Sequence, residues 1–147
     1  MAASLGAADT GVVSLKLTAL NPVAKSGSGV GGQITVTNQS NRTITYHNTS
    51  RYCDYSVTVL ANNGALAPET SFKKRMDKVI DCSGSGLRIT GRNILVTLKP
   101  GESDSEQIPI TELYDMSTPG EYTVQIERTF PEMGHFRSNA VSVKVAP

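Results

Sequence analysis

Few residues in this chain have the chemistry for metal binding. Of its 147 residues, two are cysteine and two are histidine. Cys53 and Cys82 form no CxxC pair, and His47 and His135 lie far apart in the sequence. Structural and catalytic zinc sites use closely spaced sets of such ligands. The sequence therefore predicts no metal site and no cofactor.

Nucleophilic catalysis is not indicated either. A serine or cysteine nucleophile needs a base within hydrogen-bond reach, usually oriented by a carboxylate. Ser83 and Ser85 lie in the stretch CSGSG, which lacks the GxSxG pattern and the strand-to-helix turn that such a nucleophile occupies. We therefore expect a protein that is not an enzyme.

Three acids lie near the start of one predicted strand. Glu102, Asp104 and Glu106 alternate along the start of that strand, so we expect them to form a solvated rim rather than a pair of catalytic carboxylates. Calcium binding that also uses Asp115 is the alternative, although the spacing of an EF-hand is missing.

The two cysteines favour a disulfide. Cys82 lies in a Gly/Ser-rich segment, where an inert packed thiol is unusual. A Cys53–Cys82 bond would close a loop of about 30 residues and contribute roughly 3 to 4 kcal/mol to stability. Two reduced thiols are the alternative. Since disulfides persist in oxidising compartments, the pair favours a location outside the cytoplasm, although MAASLGAADTGVV lacks the basic start and apolar block of an export signal and a cytoplasmic location stays open.

The charge balance argues against a nucleic-acid partner. The chain has 14 basic and 13 acidic residues, and phosphate binding needs a concentrated basic surface. The one basic cluster comprises Lys73, Lys74, Arg75 and Lys78. No run approaches the ~20 apolar residues that span a bilayer, so membrane insertion is not expected.

Alternation of apolar and polar residues dominates the rest of the chain. In EYTVQIERT, Tyr122, Val124 and Ile126 share one side of a strand, and NAVSVKV shows the same period of two. The apolar faces of such strands need a second sheet to cover them, which predicts a β-sandwich. Pro109 cannot donate to a ladder and is expected at an edge or a bulge. Strands are predicted over residues 12–20, 32–38, 43–48, 54–60, 93–101, 106–113, 121–129 and 139–145.

Residues 61–93 break this alternation. A compact sandwich rarely contains an irregular connection of this length without a use for it. Residues 73–76 and 87–90 are candidate strands within it. The alternative is a long loop fastened to Cys53 by Cys82.

A glycine two residues before a tyrosine opens the predicted strand 121–129. Gly120 and Tyr122 fit a tyrosine corner, in which the phenol bonds back to the corner backbone. We therefore predict an all-β, immunoglobulin-like antiparallel β-sandwich of seven to nine strands with one long irregular connection. Residues 1–11 are expected to be a flexible leader and residues 12–147 a single domain.

Several segments resemble a known group of modules. ITVTNQSNRTI, YSVTVLANNG, LKPGES, ELYDMSTPGEYTVQ and SNAVSVKV resemble immunoglobulin-like modules of bacterial secreted and envelope proteins. They look most like the sandwich that precedes the catalytic domain in deuterolysin-type metalloproteases, and less closely like the bacterial intracellular proteinase inhibitor. The zinc-binding HExxH of the metalloproteases is absent. The resemblance implies an accessory, inhibitory or adhesive role.

We expect a non-enzymatic protein-interaction or accessory module that acts through loops or a sheet edge. A protease inhibitor or prodomain-like module is the first alternative, and a carbohydrate-binding domain is the second. The sequence does not indicate the partner or the oligomeric state. Phe72 and Phe136 could instead cover the ends of the core. The candidate contact residues are of types enriched at binding hot spots, namely Phe72, Lys73, Lys74, Arg75, Met76, Met133, His135, Phe136 and Arg137.

Overall fold

The computed structural model describes residues 5–6, 11–79, 82 and 94–147. Within them the chain forms ten strands and three short helices. The strands are β1 Val13–Ala19, β2 Val23–Lys25, β3 Gly31–Asn38, β4 Ile44–Asn48, β5 Ser56–Leu60, β6 Ile94–Leu98, β7 Ser103–Pro109, β8 Gly120–Phe130, β9 Gly134–Arg137 and β10 Val141–Ala146. The helices are α1 Arg51–Asp54, α2 Ser71–Val79 and α3 Ile110–Leu113.

Two sheets form the layers of an immunoglobulin-like sandwich, as predicted. One has the order β1–β3–β7, and the other has the order β2–β10–β8–β5 with β9 beside β8. All pairs are antiparallel except β2 with β10. The first predicted strand, 12–20, corresponds to β1, and the short strand β2 that follows it joins the other sheet. The change of sheet occurs at Asn21, whose side chain bonds Gly29 and Gly31, and at Pro22.

The core follows the predicted period of two. Val13, Leu15 and Leu17 of β1 are buried, while Lys16 and Thr18 are exposed. The opposite layer contributes inward side chains from β8 and β10 in the same way. The fully buried apolar side chains are Val13, Leu17, Ile34, Val36, Val59, Ile108, Ile110, Val124, Ile126, Phe130 and Val143. These residues confirm the two-layer interior.

A separate two-stranded ribbon, β4 with β6, lies at one side of the sandwich. Asn38 anchors it, because its buried side chain donates to the carbonyls of Arg42 and Leu98 at 2.8 and 2.9 Å. Each ribbon strand thus leaves the β3–β7 pair through a sharp turn. Tyr46 of β4 packs edge-on against Phe130 of β8, with ring centroids 5.1 Å apart.

β8 is the central strand of its sheet, because it pairs with β10, β5 and β9. At its start the Tyr122 hydroxyl donates to the carbonyl of Thr118 at 2.6 Å, which is the hydrogen bond of a tyrosine corner. Gly120 has a φ of 149°, a backbone conformation that residues other than glycine rarely adopt. The corner therefore fixes the angle at which β8 enters the sheet.

Some predicted elements are wrong. Residues 73–76 lie in helix α2 rather than in an edge strand, and the predicted strand 106–113 ends at Pro109 because residues 110–113 form α3. The predicted strand 54–60 begins only at Ser56, after α1. Pro109 lies on β7, the outer strand of its sheet, where its missing N–H is tolerated.

Other predicted segments lie outside the described residues. They are 87–90 and most of the leader 1–11. Within the leader, the carbonyl of Gly6 accepts a hydrogen bond from Gln125 at 2.7 Å. None of the described helices is long and apolar enough to cross a membrane.

Tyr122→Phe should lower the free energy of unfolding by about 0.5–1.5 kcal/mol, because it deletes the corner hydrogen bond and leaves the ring in place. Urea denaturation measures the change. Tyr52→Phe is the control, since that hydroxyl makes a longer, exposed bond of 3.3 Å to Glu112 and should contribute little. Equal losses in both variants would contradict a structural role for the corner.

Candidate functional site

Helix α2 occupies the long connection that the sequence left irregular. Thr70 starts it, because its hydroxyl accepts from the backbone N–H of Lys73 at 3.1 Å. The residues that follow contain no β-branched side chain until Val79. Phe72 and Met76 are four residues apart and both half-buried, which is the spacing of one helix face. That spacing was the available signal for the helix.

The helix divides the predicted contact residues between two faces. Phe72, Lys73 and Met76 are half-buried against the sandwich, whereas Lys74 and Arg75 are exposed. Phe72 packs against Tyr52 of α1 with ring centroids 5.9 Å apart. Only part of the predicted cluster is therefore accessible to a partner.

Lys73 holds the helix to its surroundings. Its Nζ atom lies 3.0 Å from Glu69 and 2.9 Å from Asp77, and 5.8 Å from the ring centre of Tyr114. Burial would lower the pKa of Lys73, but the hydrogen bonds to Asp77 and Glu69 outweigh it and raise the pKa. Lys73 is therefore a structural cation.

The outward side of α2 carries a set of cations that we call the basic face: Lys74, Arg75 and Lys78. All three are exposed. They are spaced three and four residues apart, so they share one side of the helix. Within the part of the chain that the structure describes, they form no ion pair.

A disulfide joins Cys53 of α1 to Cys82, three residues beyond the end of α2, with 5.3 Å between the Cα atoms. This confirms the predicted bond. The long connection is thus fastened to the sandwich near both ends of α2: by Thr70 before the helix, whose hydroxyl donates to the carbonyl of Glu112, and by Cys82 after it.

The second predicted cluster, at the β8–β9 hairpin, is also divided. Phe136 is only 6% exposed and packs against Phe130, as a core side chain does, and its contact with a partner stays a prediction. Met133 and Arg137 are half-buried. Only His135 is exposed, and it lies on β9 rather than at a projecting tip. The hairpin therefore offers less contact surface than the sequence indicated.

His135 lies between a hydroxyl and a carboxylate. Its Nδ1 atom is 2.7 Å from the Thr129 hydroxyl, and its Nε2 atom is 2.9 Å from Glu127. These groups border a cleft of about 580 Å³ between β4, α1 and the hairpin. The order of groups is that of a nucleophile, base and carboxylate. However, Thr129 and His135 are directly opposite in the β8–β9 register, so a stabilising cross-strand pair accounts for the arrangement.

Sequence reasoning missed Arg128, a buried cation on β8. It is 4% exposed. Its guanidinium donates to the Asn48 side chain at 2.8 Å, the His47 carbonyl at 2.9 Å and the Tyr55 hydroxyl at 3.0 Å. The sequence did contain a signal for its burial. Arg128 continues the series of alternate inward-facing residues that begins at Tyr122.

Aromatic rings enclose the same guanidinium. The ring centres of Phe130, Tyr55 and Tyr46 lie 4.5, 4.9 and 5.1 Å from its central carbon. Such faces attract a cation most strongly where water is excluded. Burial raises the pKa of both tyrosine hydroxyls, which therefore stay neutral near Arg128 at physiological pH.

The predicted acidic rim is also partly wrong. Glu102 is exposed, but Asp104 and Glu106 point inward on β7 and are half-buried. Asp104 accepts from the Asn48 side chain at 3.3 Å. Burial and the neighbouring Asp54 raise the pKa of Glu106, although Arg128 partly opposes them. In the described parts of the chain, no three acids, histidines or cysteines come together as metal ligands would.

The two predicted contact clusters line different clefts. Tyr52, Lys73 and Met76 line the α2 cleft, and Asp54 and His135 line the hairpin cleft. The structure therefore does not combine them into one site.

Arg128→Lys should destabilise the protein by roughly 2 kcal/mol or more. A lysine ammonium cannot reach all three acceptors in the same geometry, and each buried acceptor left without a donor costs about 1–3 kcal/mol. Urea denaturation measures the loss. Arg75→Lys on the exposed face of α2 is the matched control, with an expected change within about 0.5 kcal/mol. Similar values for both variants would show that Arg128 is solvated.

Glu106→Gln should stabilise the protein relative to the wild type as pH rises. Because the folded pKa of Glu106 is raised, the wild type gains stability from this group below its ordinary pKa of 4.5 and loses it as pH increases through the folded value. Denaturation at pH 4, 5.5 and 7 measures the difference. A variant that becomes relatively less stable with rising pH would show that Arg128 outweighs the cost of burial.

Comparison with known proteins finds similarity at the level of solved structures. No family model matches the chain, and no curated protein matches it. The CARDB domain of a Pyrococcus furiosus protein aligns over 92% of this chain and 94% of that domain, with 12% identity and a TM-score of 0.45. β-Glucosidase from Listeria innocua in complex with glucose aligns over 95% of this chain but 16% of its own, with 14% identity and a TM-score of 0.43.

A bacterial hydrophobin, BslA, aligns over 93% of this chain and 97% of its own, with 13% identity and a TM-score of 0.40. Values this low identify no function for this chain. The likeness to the sandwich of deuterolysin-type metalloproteases stays a prediction.

Proposed function

We propose that this chain is a non-catalytic accessory module that holds an acidic surface of a partner protein against the basic face of α2. The observation that carries the proposal is the set of three exposed cations, Lys74, Arg75 and Lys78, on one side of a nine-residue helix. Unpaired charges of one sign attract and orient a partner of the opposite sign.

The attachment of α2 supports this role. Thr70 caps the helix, Phe72 packs on Tyr52, and Lys73 pairs with Glu69 and Asp77. The Cys53–Cys82 disulfide also fastens the chain just beyond the end of the helix. A surface that is already ordered loses less conformational entropy on binding than a mobile loop does.

The disulfide also favours work outside the cytoplasm, where such bonds persist. This fits the resemblance to modules of bacterial secreted and envelope proteins. Protease inhibition and carbohydrate binding stay predictions.

Reversal of the basic face, with Lys74→Glu, Arg75→Glu and Lys78→Glu combined, should weaken binding of a fluorescein-labelled peptide of ten glutamates at least about tenfold. Fluorescence anisotropy in 20 mM NaCl measures the affinity. Raising NaCl to 300 mM should weaken wild-type binding, because salt screens exposed charges.

A second triple variant controls for net charge. Lys25→Glu, Lys99→Glu and Lys144→Glu change three exposed lysines outside α2 and alter the total charge by the same amount. Binding should stay within about threefold of the wild type. If both triple variants lose the same affinity, only the overall charge matters and the proposal fails.

A further inference from the structure

An open groove separates the β4–β6 ribbon from the β3–β7 pair. β6 and β7 follow one another through a tight turn at residues 99–102, but they belong to different sheets and form no ladder with each other. The groove between them has a volume of about 570 Å³. Its walls include Ile94 and Val96 of β6, and Asp104, Ser105 and Glu106 of β7.

The β7 wall presents backbone groups to this groove. The Gln107 carbonyl accepts from the Arg51 guanidinium at 3.1 Å, so it points away from β3. Backbone groups two residues apart point to the same side of a strand, which directs the N–H and carbonyl of Ser105 into the groove as well. Pro109, two residues beyond Gln107, lies on the same side of the strand and has no N–H to offer there.

Side chains already occupy the outer edges of two other strands. The Asn139 amide bonds both the N–H and the carbonyl of Leu17 on β1, at 2.8 and 3.0 Å. The Tyr114 hydroxyl donates to the carbonyl of Val57 on β5 at 2.8 Å. Such contacts block pairing with another strand. On β7 the Arg51 guanidinium occupies the Gln107 carbonyl in the same way, and the open position of that edge is Ser105.

The lining of the groove defines which side chains fit. Ile94 is 43% exposed and offers an apolar surface. On the opposite wall the carboxylates of Asp104 and Glu106 point inward on the same side of β7. Glu106 lines the groove, although its Oε1 atom is buried. A cation in the groove would offset the two negative charges, and Arg128 opposes that of Glu106 only in part.

We propose that the groove between β6 and β7 binds an extended segment of a partner polypeptide, which pairs with the β7 edge at Ser105 and places a lysine or arginine side chain against Glu106. Main-chain hydrogen bonds would supply affinity, and alternate side chains would supply specificity. The site is separate from the basic face of α2 and goes beyond the function proposed for that face.

The test uses a phage-displayed library of nine-residue peptides selected on the intact protein. Selected sequences should carry Lys or Arg among β-branched or apolar residues. Synthetic copies should bind Glu106→Gln at least about tenfold more weakly, because a charge-assisted hydrogen bond is lost. Ser105→Pro should also weaken binding about tenfold, because it removes the outward N–H. Glu121→Gln, an exposed acid on the other sheet, is the matched control and should bind as the wild type does.

Three results would overturn the proposal. The first is a library that yields no binder, and the second is undiminished affinity in both Glu106→Gln and Ser105→Pro. The third is slow hydrogen exchange at the Ser105 amide of the free protein, which would mean that this position of the β7 edge is already paired. The triple variant with the charges of the basic face reversed should still bind the selected peptides. Failure of the groove is therefore distinguishable from failure of the basic face.

Discussion

A buried guanidinium at the far end of β8 determines how this end of the sandwich is arranged. An unpaired charge in the interior costs several kcal/mol, so Arg128 must collect acceptors from whatever lies nearby. β4 supplies the backbone carbonyl of His47 and the side-chain oxygen of Asn48. Tyr55, which follows α1, supplies its hydroxyl. These bonds hold the end of β4 beside β8, and the Asn48 side chain also donates to Asp104 of β7.

Much of the fold could be predicted because burial in a two-layer sandwich imposes a period of two. The strands around Leu15, Ile34, Val124 and Val143 show this period plainly. The short helices could not be predicted in the same way. α1 and α3 have only four residues each, too few to show a helical period, and tertiary contacts hold them in place. α2 was missed because its one clear signal, the pair Phe72 and Met76, lies in a strongly polar segment.

The candidate site was less accessible to sequence reasoning. Composition located the cations of residues 73–76 but could not say which of them face the protein, since that depends on the neighbours of α2. The hairpin residue Phe136 is buried because β9 packs over the core at Phe130. Arg128 lies in the same alternate phase as Tyr122, Val124 and Ile126, but sequence reasoning missed it, because a charged residue in that phase looks like the end of the strand until its partners are known. Asp104 and Glu106 also face inward, as alternate residues of β7, and Arg128 lies close enough to Glu106 to oppose its raised pKa in part.

The most direct test of the central claim is an NMR measurement on the Arg128 side chain. If the guanidinium is enclosed by Tyr46, Tyr55 and Phe130, its side-chain protons should show large ring-current shifts and cross-peaks to all three rings. Its N–H protons should also exchange slowly with water. Shifts close to those of an unfolded chain, with no aromatic cross-peaks and fast exchange, would contradict the account.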